Sequence, residues 1–484
     1  PAGDGGDGGR PRVRRLDVDM VQRFRILPVL RCDFHDDLVL VQFIVNGRYL
    51  PLAERIVEHV VHLLLRQAQA AHRIPVEGQH GLQAFQFLIR VQVGQHRQFR
   101  QGTERFRCPF AQFVQVVALQ GVLELRIALA ASQIECGIAD VIVAGGGVAG
   151  VSAAAAAARE GASVLLIEKG VALGGLATIG LISWYEPLCD SEGTQMTGGI
   201  SEELLRLAIR YGFDDLSQDW REGRKPAKGR YTTHFSPTLF AMALDEFMDE
   251  NRVSILLDSL ITCPVMEGNL CHGLIVENTR GREFYGAKVV VDATGNATVL
   301  SRAGVPTVLG DNYLSYVAHW TNLEAARAFV ENGNMAQFRK WISAGSDLFG
   351  NGHPQGMATF TGDGEVTEFV LRGRKLLFEK LKQTGRNERD VTMLPMMPQY
   401  RKIRRLDGEY VFTGEELDVK FDNAVGSAGD FRKKGKHYQI PYPCLYHKGF
   451  DNLLAAGRMI SASGEGWEIT RVIPVAALTG EAAG

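Results

Sequence analysis

The sequence predicts an α/β fold, a parallel sheet covered by helices with a mixed α+β domain inserted into it. Three observations predict it. Asp140 to Lys169 reads as strand, tight glycine turn, helix and second strand. Short strand-like runs separated by turn residues follow between 253 and 277. Between about 306 and 439, helical patterns at Leu323–Asn332 and Glu365–Thr384 alternate with loops rich in Gly, Asp and Asn.

In the first unit, Val141 to Ala144 form an apolar run too short for a helix, as suits a buried parallel strand. Gly145, Gly147 and Gly150 follow with the GxGxxG spacing. The first permits the turn, the second lets a pyrophosphate approach the backbone, and the third lets the helix from Val148 to Arg159 lie close to the strand. Phosphate charge is favoured at that helix's N-terminus, where amides are unsatisfied and the dipole is positive. Glu168 stands 18 residues after Gly150, at the end of the next apolar strand, where a carboxylate can bind a ribose diol. The unit predicts a Rossmann-type nucleotide-binding domain.

Three segments in order carry a resemblance. Glu168-Lys169 is followed by Gly174-Gly175 and Thr178, Val289–Asp292 by the turn Ala293-Thr294-Gly295, and Asn452–Ala456 by Gly457-Arg458 and, from Arg471 to Gly484, a helix. Together they resemble the FAD-dependent oxidoreductases of the glutathione-reductase-type flavoprotein fold, which include relatives of the heterodisulfide reductase A subunit. The resemblance implies FAD as cofactor, held by Gly145, Gly147, Gly150, Glu168, Lys169, Gly174, Gly175, Thr178, Ala293, Thr294, Gly295, Gly457 and Arg458. It implies an FAD-binding domain over 139–305, a substrate or cap domain over 306–439, and a closing strand and helix over 440–484. Where this fold often has Gly-Asp in its last motif, this chain has Gly457-Arg458, which removes a carboxylate contact to the ribityl chain. A helix starting near Ile473 would point its positive end at the flavin's pyrimidine edge. Some relatives carry iron–sulfur clusters. An iron–sulfur cluster here rests on that relation alone, because the seven cysteines are widely spaced and form no CxxC pair. No metal ligand set is read.

The first 138 residues differ from the rest: the first lysine is Lys169, and Ser132, Thr103, Asn46 and Tyr49 are the single examples of their types in this segment. Gly3 to Gly9 has the composition of a flexible tail, and Ala53 to Ala70 has helical periodicity. An additional partner-binding domain is one reading. The composition favours another, that the segment is not native protein, since reading the wrong strand or frame of GC-rich DNA yields such usage.

Ile179 to Tyr185 is expected to leave the sheet and run beside the flavin, with Trp184 and Tyr185 as core rather than stacking residues. Ser201 is expected to cap one helix, and Ser236, followed by Pro237, another ending near Asn251. His234 and His272 read as structural or exposed. Pro398 to Tyr410 resembles the arginine-bearing segment before the closing strand, so Arg404 and Arg405 are weak candidates for holding a carboxylate or an anionic flavin. His437, Tyr438 and Tyr442 precede the closing motif and could face the ring, which makes Tyr442 a third weak catalytic candidate.

Charge and hydropathy bound the function. A formal net charge of −2 with 45% hydrophobic residues gives no electrostatic reason to expect nucleic acid or an anionic membrane. No run of eighteen apolar residues and no signal-like N-terminus appears, so a cytoplasmic protein is expected. The chain stops at Gly484 within an alanine-rich helical pattern, as a fragment would. The leading expectation is an FAD-dependent oxidoreductase moving hydride or electrons between flavin and a small organic substrate. An electron-transfer subunit serving a partner and a nucleotide-binding module without turnover are the alternatives.

Overall fold

The computed structural model describes residues 135–484 apart from 191, 219–231, 347–358 and 362–364, together with strands at 32–35, 38–46, 89–96, 99–101, 104–106 and 111–119. The chain divides into two compact units, Pro1–Ser132 and Gln133–Gly484. In the first unit, an antiparallel sheet runs in the order Cys32–His35, Leu38–Asn46, Ala111–Leu119, Ile89–His96, and Phe99–Gln101 pairs with Glu104–Phe106. The expected helix at Ala53–Ala70 and the glycine-rich tail lie outside the described residues.

The second unit is built on one sheet. Its strands are β1 (Glu135–Ala144), β2 (Val164–Ile167), β3 (Ser254–Leu256), β4 (Leu260–Glu267), β5 (Leu270–Asn278) and β6 (Gly281–Asp292), in the order β3-β2-β1-β6-β5-β4. The β3, β2, β1 and β6 pairings are parallel, and β5 and β4 extend the sheet as antiparallel neighbours. Strand β6 has twelve residues because, besides β1 on one edge, it serves two partners in succession on the other. Gly281–Gly286 pair with β5, while Val290–Asp292 pair in parallel with Leu453–Ala455 of the closing segment. Strand β1 begins at Glu135, upstream of the apolar run that announces it, because Glu135 and Gly137 already pair with Phe284 and Tyr285.

Helix α1 (Val148–Arg159) has the bounds its pattern predicts, and its alanine run is almost wholly buried. The reason is another helix, at Ile473–Ala483 near the end of the chain. A Cβ on its Gly480 would sit 2.2 Å from the Ala149 carbonyl oxygen, so the two backbones meet at a distance that only small residues allow. Helix α2 (Ile200–Arg210) is capped by Gly199 rather than Ser201, whose hydroxyl instead donates to the Pro474 carbonyl. Helix α3 (Pro237–Glu250) has Ser236 at its cap position without a capping hydrogen bond from that side chain. Tyr185 is fully buried in the core of this unit, and Trp184 is half-buried against it.

The inserted region carries β7 (Ser315–Asn322), α4 (Leu323–Asn332), β8 (Lys340–Gly345), α5 (Val366–Leu381) and β9 (Arg389–Met393), with β7 between β8 and β9. It has its own apolar cluster, in which Phe369, Leu377 and Leu381 of α5 meet Tyr316, Ile342, Tyr400 and Ile403. Strand β10 (Leu453–Ala455), α6 (Gly464–Thr470) and α7 (Ile473–Ala483) then return to the parallel sheet and to α1.

Candidate cofactor site

Four parallel strands end at one level. Ala144 is in register with Ile167 and with Asp292, and Asp292 with Ala455, so the turns that follow open onto a shared crevice beyond the carboxyl ends. That crevice is a cavity of about 400 Å³.

The glycine turn forms one wall. Gly145 has φ +103°, and its N–H donates to the Ile167 carbonyl at 2.8 Å; a Cβ there would lie 2.6 Å from the Ala293 oxygen. A Cβ on Gly150 would lie 1.8 Å from the Gly145 oxygen, so this residue sets the contact between helix and strand. Gly147 differs: its φ is −67° and a Cβ would meet no protein atom within 4 Å. Neither conformation nor packing requires glycine there. The empty space over it faces the N-terminus of α1, which no side chain caps, and a pyrophosphate fits that space and its polarity.

The second glycine pair lies against the first turn. Gly174 N–H donates to the Gly146 carbonyl at 2.8 Å, and a Cβ on Gly175 would be 3.2 Å from the Gly147 Cα. Glu168, 8% exposed, ties these loops together: its two oxygens accept from the N–H groups of Gly146 and Gly170, each at 2.7 Å. It lines the cavity with Lys169, Gly174 and Gly175. Thr178 does not; its buried hydroxyl donates to the Leu173 carbonyl at 2.5 Å and secures the turn from behind.

Opposite, Ala293, Thr294 and Gly295 line the wall. Their turn is held by Asp292, fully buried, whose Oδ1 accepts from Thr294 N–H at 3.0 Å and Thr294 Oγ1 at 2.7 Å, and whose Oδ2 accepts from Leu300 N–H at 2.9 Å. Burial pushes the Asp292 carboxyl above its ordinary range, against these hydrogen bonds. Arg458 takes the position where a carboxylate is often found. Its Nε donates to the Gly295 carbonyl at 2.8 Å and its Nη2 to Asn296 Oδ1 at 2.9 Å, and burial, with Arg471 nearby, pulls its pKa down to about 10.

The closing helix α7 presents Ile473 and Ala476 to the cavity. The Ile473 N–H, however, is already engaged: it donates to Glu186 Oε2 at 3.0 Å. The positive end expected from sequence is thus partly offset by a carboxyl group that the pattern did not reveal. Burial pushes this carboxyl up to about 7, against the backbone N–H groups it accepts from and the nearby Arg471 and Arg401.

The cap contributes Met396, Met397, Pro398 and Tyr400 to the lining. The segment singled out in the sequence is therefore at the site, through residues other than its expected arginines. Arg405 is buried elsewhere, with Nη1 donating to the Leu406 carbonyl at 2.8 Å, and Arg404 pairs with Leu309 in a two-stranded ribbon. Tyr442 packs on Tyr446 at 5.1 Å, Tyr438 on Phe412 at 5.8 Å, and His437 lies 3.4 Å from Asp418; none of the three lines the cavity. Arg471 and Asn296 are lining residues that the sequence did not mark as such. Both stand inside recognised segments, but nothing in the local pattern tells a lining residue from its neighbours.

The sequence matches the profile of a family described as FAD dependent oxidoreductase over residues 140–354 and 357–484. The chain belongs to that family. FAD is accordingly its cofactor and the protein is an oxidoreductase. Among solved structures it is similar to a geranylgeranyl bacteriochlorophyll reductase-like protein of Thermoplasma acidophilum (15% identity, 72% of this chain and 77% of that one, TM-score 0.37). It is also similar to L-proline dehydrogenase from P. horikoshii (13%, 72% and 92%, 0.36) and to p-nitrophenol 4-monooxygenase from Pseudomonas putida (15%, 57% and 70%, 0.36). No curated protein matches it. Among the described residues, no helix is long and apolar enough to cross a membrane, and no group of three or more His, Cys, Asp or Glu could hold a metal ion.

Proposed function

We propose that this flavoenzyme passes hydride or electrons between bound FAD and a small organic substrate that approaches from the cap side. One observation carries the reading: a single cavity is walled by the glycine turns and Glu168 and also by Met396, Met397, Pro398 and Tyr400 of the cap. FAD supplies the redox chemistry, and the protein supplies binding, orientation and electrostatics.

In this reading Gly147 and the α1 N-terminus receive the pyrophosphate, and Glu168 is the ribose-binding carboxylate. Arg458 and Arg471 set the charge around the flavin end, with the positive end of α7 partly offset by Glu186. The partly buried side chains of Met397 and Pro398 give that end of the site an apolar wall. Cys189, Cys263, Cys271 and Cys444, all free thiols, support a reducing and hence cytoplasmic setting.

The test is an anaerobic screen in which candidate small molecules are added to the purified, FAD-loaded chain and bleaching of the flavin absorption is followed. A small molecule that bleaches it within a catalytic turnover supports the proposal. Bleaching only by a reduced protein partner would replace it with an electron-transfer role.

A further inference from the structure

A second cluster of polar groups lies beside the cofactor cavity, on the face of the cap that meets the segment around Ser183. Trp341 of β8 stands opposite His319 of β7 in the antiparallel register, and Arg339 precedes β8, two residues before Trp341. Trp341 Nε1 donates towards Ser183 Oγ at 3.2 Å and His319 Nε2 at 3.0 Å, Ser183 Oγ lies 3.1 Å from the same nitrogen, and Arg339 Nη1 donates to Ser236 Oγ at 3.0 Å. Because an indole nitrogen can only donate, His319 Nε2 is the acceptor and the proton resides on Nδ1.

Gln399 fixes this cluster relative to the cavity. It stands between Pro398 and Tyr400 of the cavity wall, its Nε2 donates to the carbonyls of Gly180 at 2.6 Å and Val317 at 3.0 Å, and its Oε1 accepts from Val317 N–H at 2.8 Å. His319 is two residues along the same strand from Val317, and Ser183 is four residues from the cavity-lining Ile179.

The charges of the cluster do not close among themselves. Arg339 is half-buried, has no carboxylate partner among the described residues, and is pulled below its ordinary pKa by burial. The nearby acid, Asp215, is committed to His234, accepting its N–H at 2.6 Å and lying 2.7 Å from its Nδ1. His319 is 1% exposed, and burial with Arg339 beside it holds the imidazole neutral, its pKa pulled down to about 4. A half-buried guanidinium without a counter-charge is stabilised by an arriving anion. Phe213 lies 6.0 Å from the guanidinium, and within the same cluster His234 lies 5.6 Å from Trp341 and 6.4 Å from Trp184.

We propose that Arg339 receives the carboxylate of the substrate, an organic acid with a flat apolar body that lies along Trp184 and Trp341. Ser183 and His319 are positioning residues that hold Trp341. The assignment rests on the flavoenzyme reading above and names its substrate class.

The test titrates the FAD-loaded full chain with benzoate and with its uncharged counterpart, benzamide, following flavin absorption. Benzoate gives a saturable perturbation and benzamide binds at least about tenfold more weakly. Arg339→Gln brings benzoate down to the level of benzamide with FAD content unchanged, and Arg339→Lys keeps part of the preference. Arg339→Met, in the ligand-free protein, raises the melting temperature because it removes an uncompensated charge. Equal response to the two probes, no response to benzoate, or a lower melting temperature for Arg339→Met each overturns the assignment. Preparations without flavin would remove the flavoenzyme reading by itself, since thermal shifts by benzoate against benzamide would still report on the anion site.

Discussion

Gly147 and Gly150 stand three residues apart in one turn and are glycine for different reasons. At Gly150 a Cβ would collide with the Gly145 carbonyl at 1.8 Å, whereas at Gly147 it would meet nothing within 4 Å. Gly150→Ala is therefore expected to destabilise the fold by about 3 kcal/mol or more, because helix and strand must separate. Gly147→Val is expected to stay within about 1 kcal/mol of wild type and to lose FAD, because its side chain fills only the space that the pyrophosphate needs. Denaturant unfolding and flavin content of the two purified variants separate these roles, and a Gly147→Val protein with stoichiometric flavin rejects the second. Glu168 combines both kinds of role. Its carboxylate joins two loops through Gly146 and Gly170, so Glu168→Ala should weaken FAD binding by about 1.5–3 kcal/mol and also lower the stability of the FAD-free chain. Loss of affinity with unchanged FAD-free stability would reduce Glu168 to a ribose ligand alone.

Among the elements, the local pattern was sufficient where the pattern itself makes the structure. The bounds of α1 and α4 follow from apolar spacing and turn residues, and Gly145, Gly174 and Ala293 come together because four parallel strands must end in turns at one edge. It was insufficient where a distant segment decides. Arg404 and Arg405 look like anion ligands in sequence, yet the strand they form pairs with Thr307–Leu309, and Arg405 turns into the protein. Thr178 is spaced like a ligand but spends its hydroxyl on its own turn. Glu186 carried no signal, because only the packing of α7 brings it to the Ile473 N–H. Its burial gives a pH test. An unfolded Glu186 ionises near its ordinary 4.5, while the folded group holds its proton up to about 7, so folding stability falls as pH rises through that window and is flat on either side. Glu186→Gln removes this slope, and relative to wild type the variant should gain about 2–4 kcal/mol between pH 4 and pH 8. Urea midpoints at the two pH values measure it; an equal difference at both would mean that the folded carboxyl ionises as it does in water.

At the scale of the whole molecule, the second unit contains what its cofactor site requires. Its core joins β1, α1, β2, α3, β6 and α7 in one apolar cluster, and every residue that lines the cavity comes from within 145–476. The composition of the first 138 residues places a boundary close to the first strand of that unit, and the pairing of β1 shows where a cut should fall. Glu135 and Gly137 pair with Phe284 and Tyr285, and Ile138 and Ala139 with Gly286 and Ala287, so a chain starting at Ile138 would leave the start of β6 without part of its parallel neighbour. A chain starting at Gln133 keeps the whole strand. It is expected to bind FAD stoichiometrically and to match the flavin-associated melting transition of the full chain. The Ile138 chain should melt lower, by the worth of one or two strand hydrogen bonds, about 1–2 kcal/mol. Calorimetry of the three FAD-loaded proteins decides the matter. Aggregation or loss of flavin in the Gln133 chain, beside a full-length protein that retains it, would establish residues 1–132 as a working part of the enzyme and overturn the view that the second unit is sufficient.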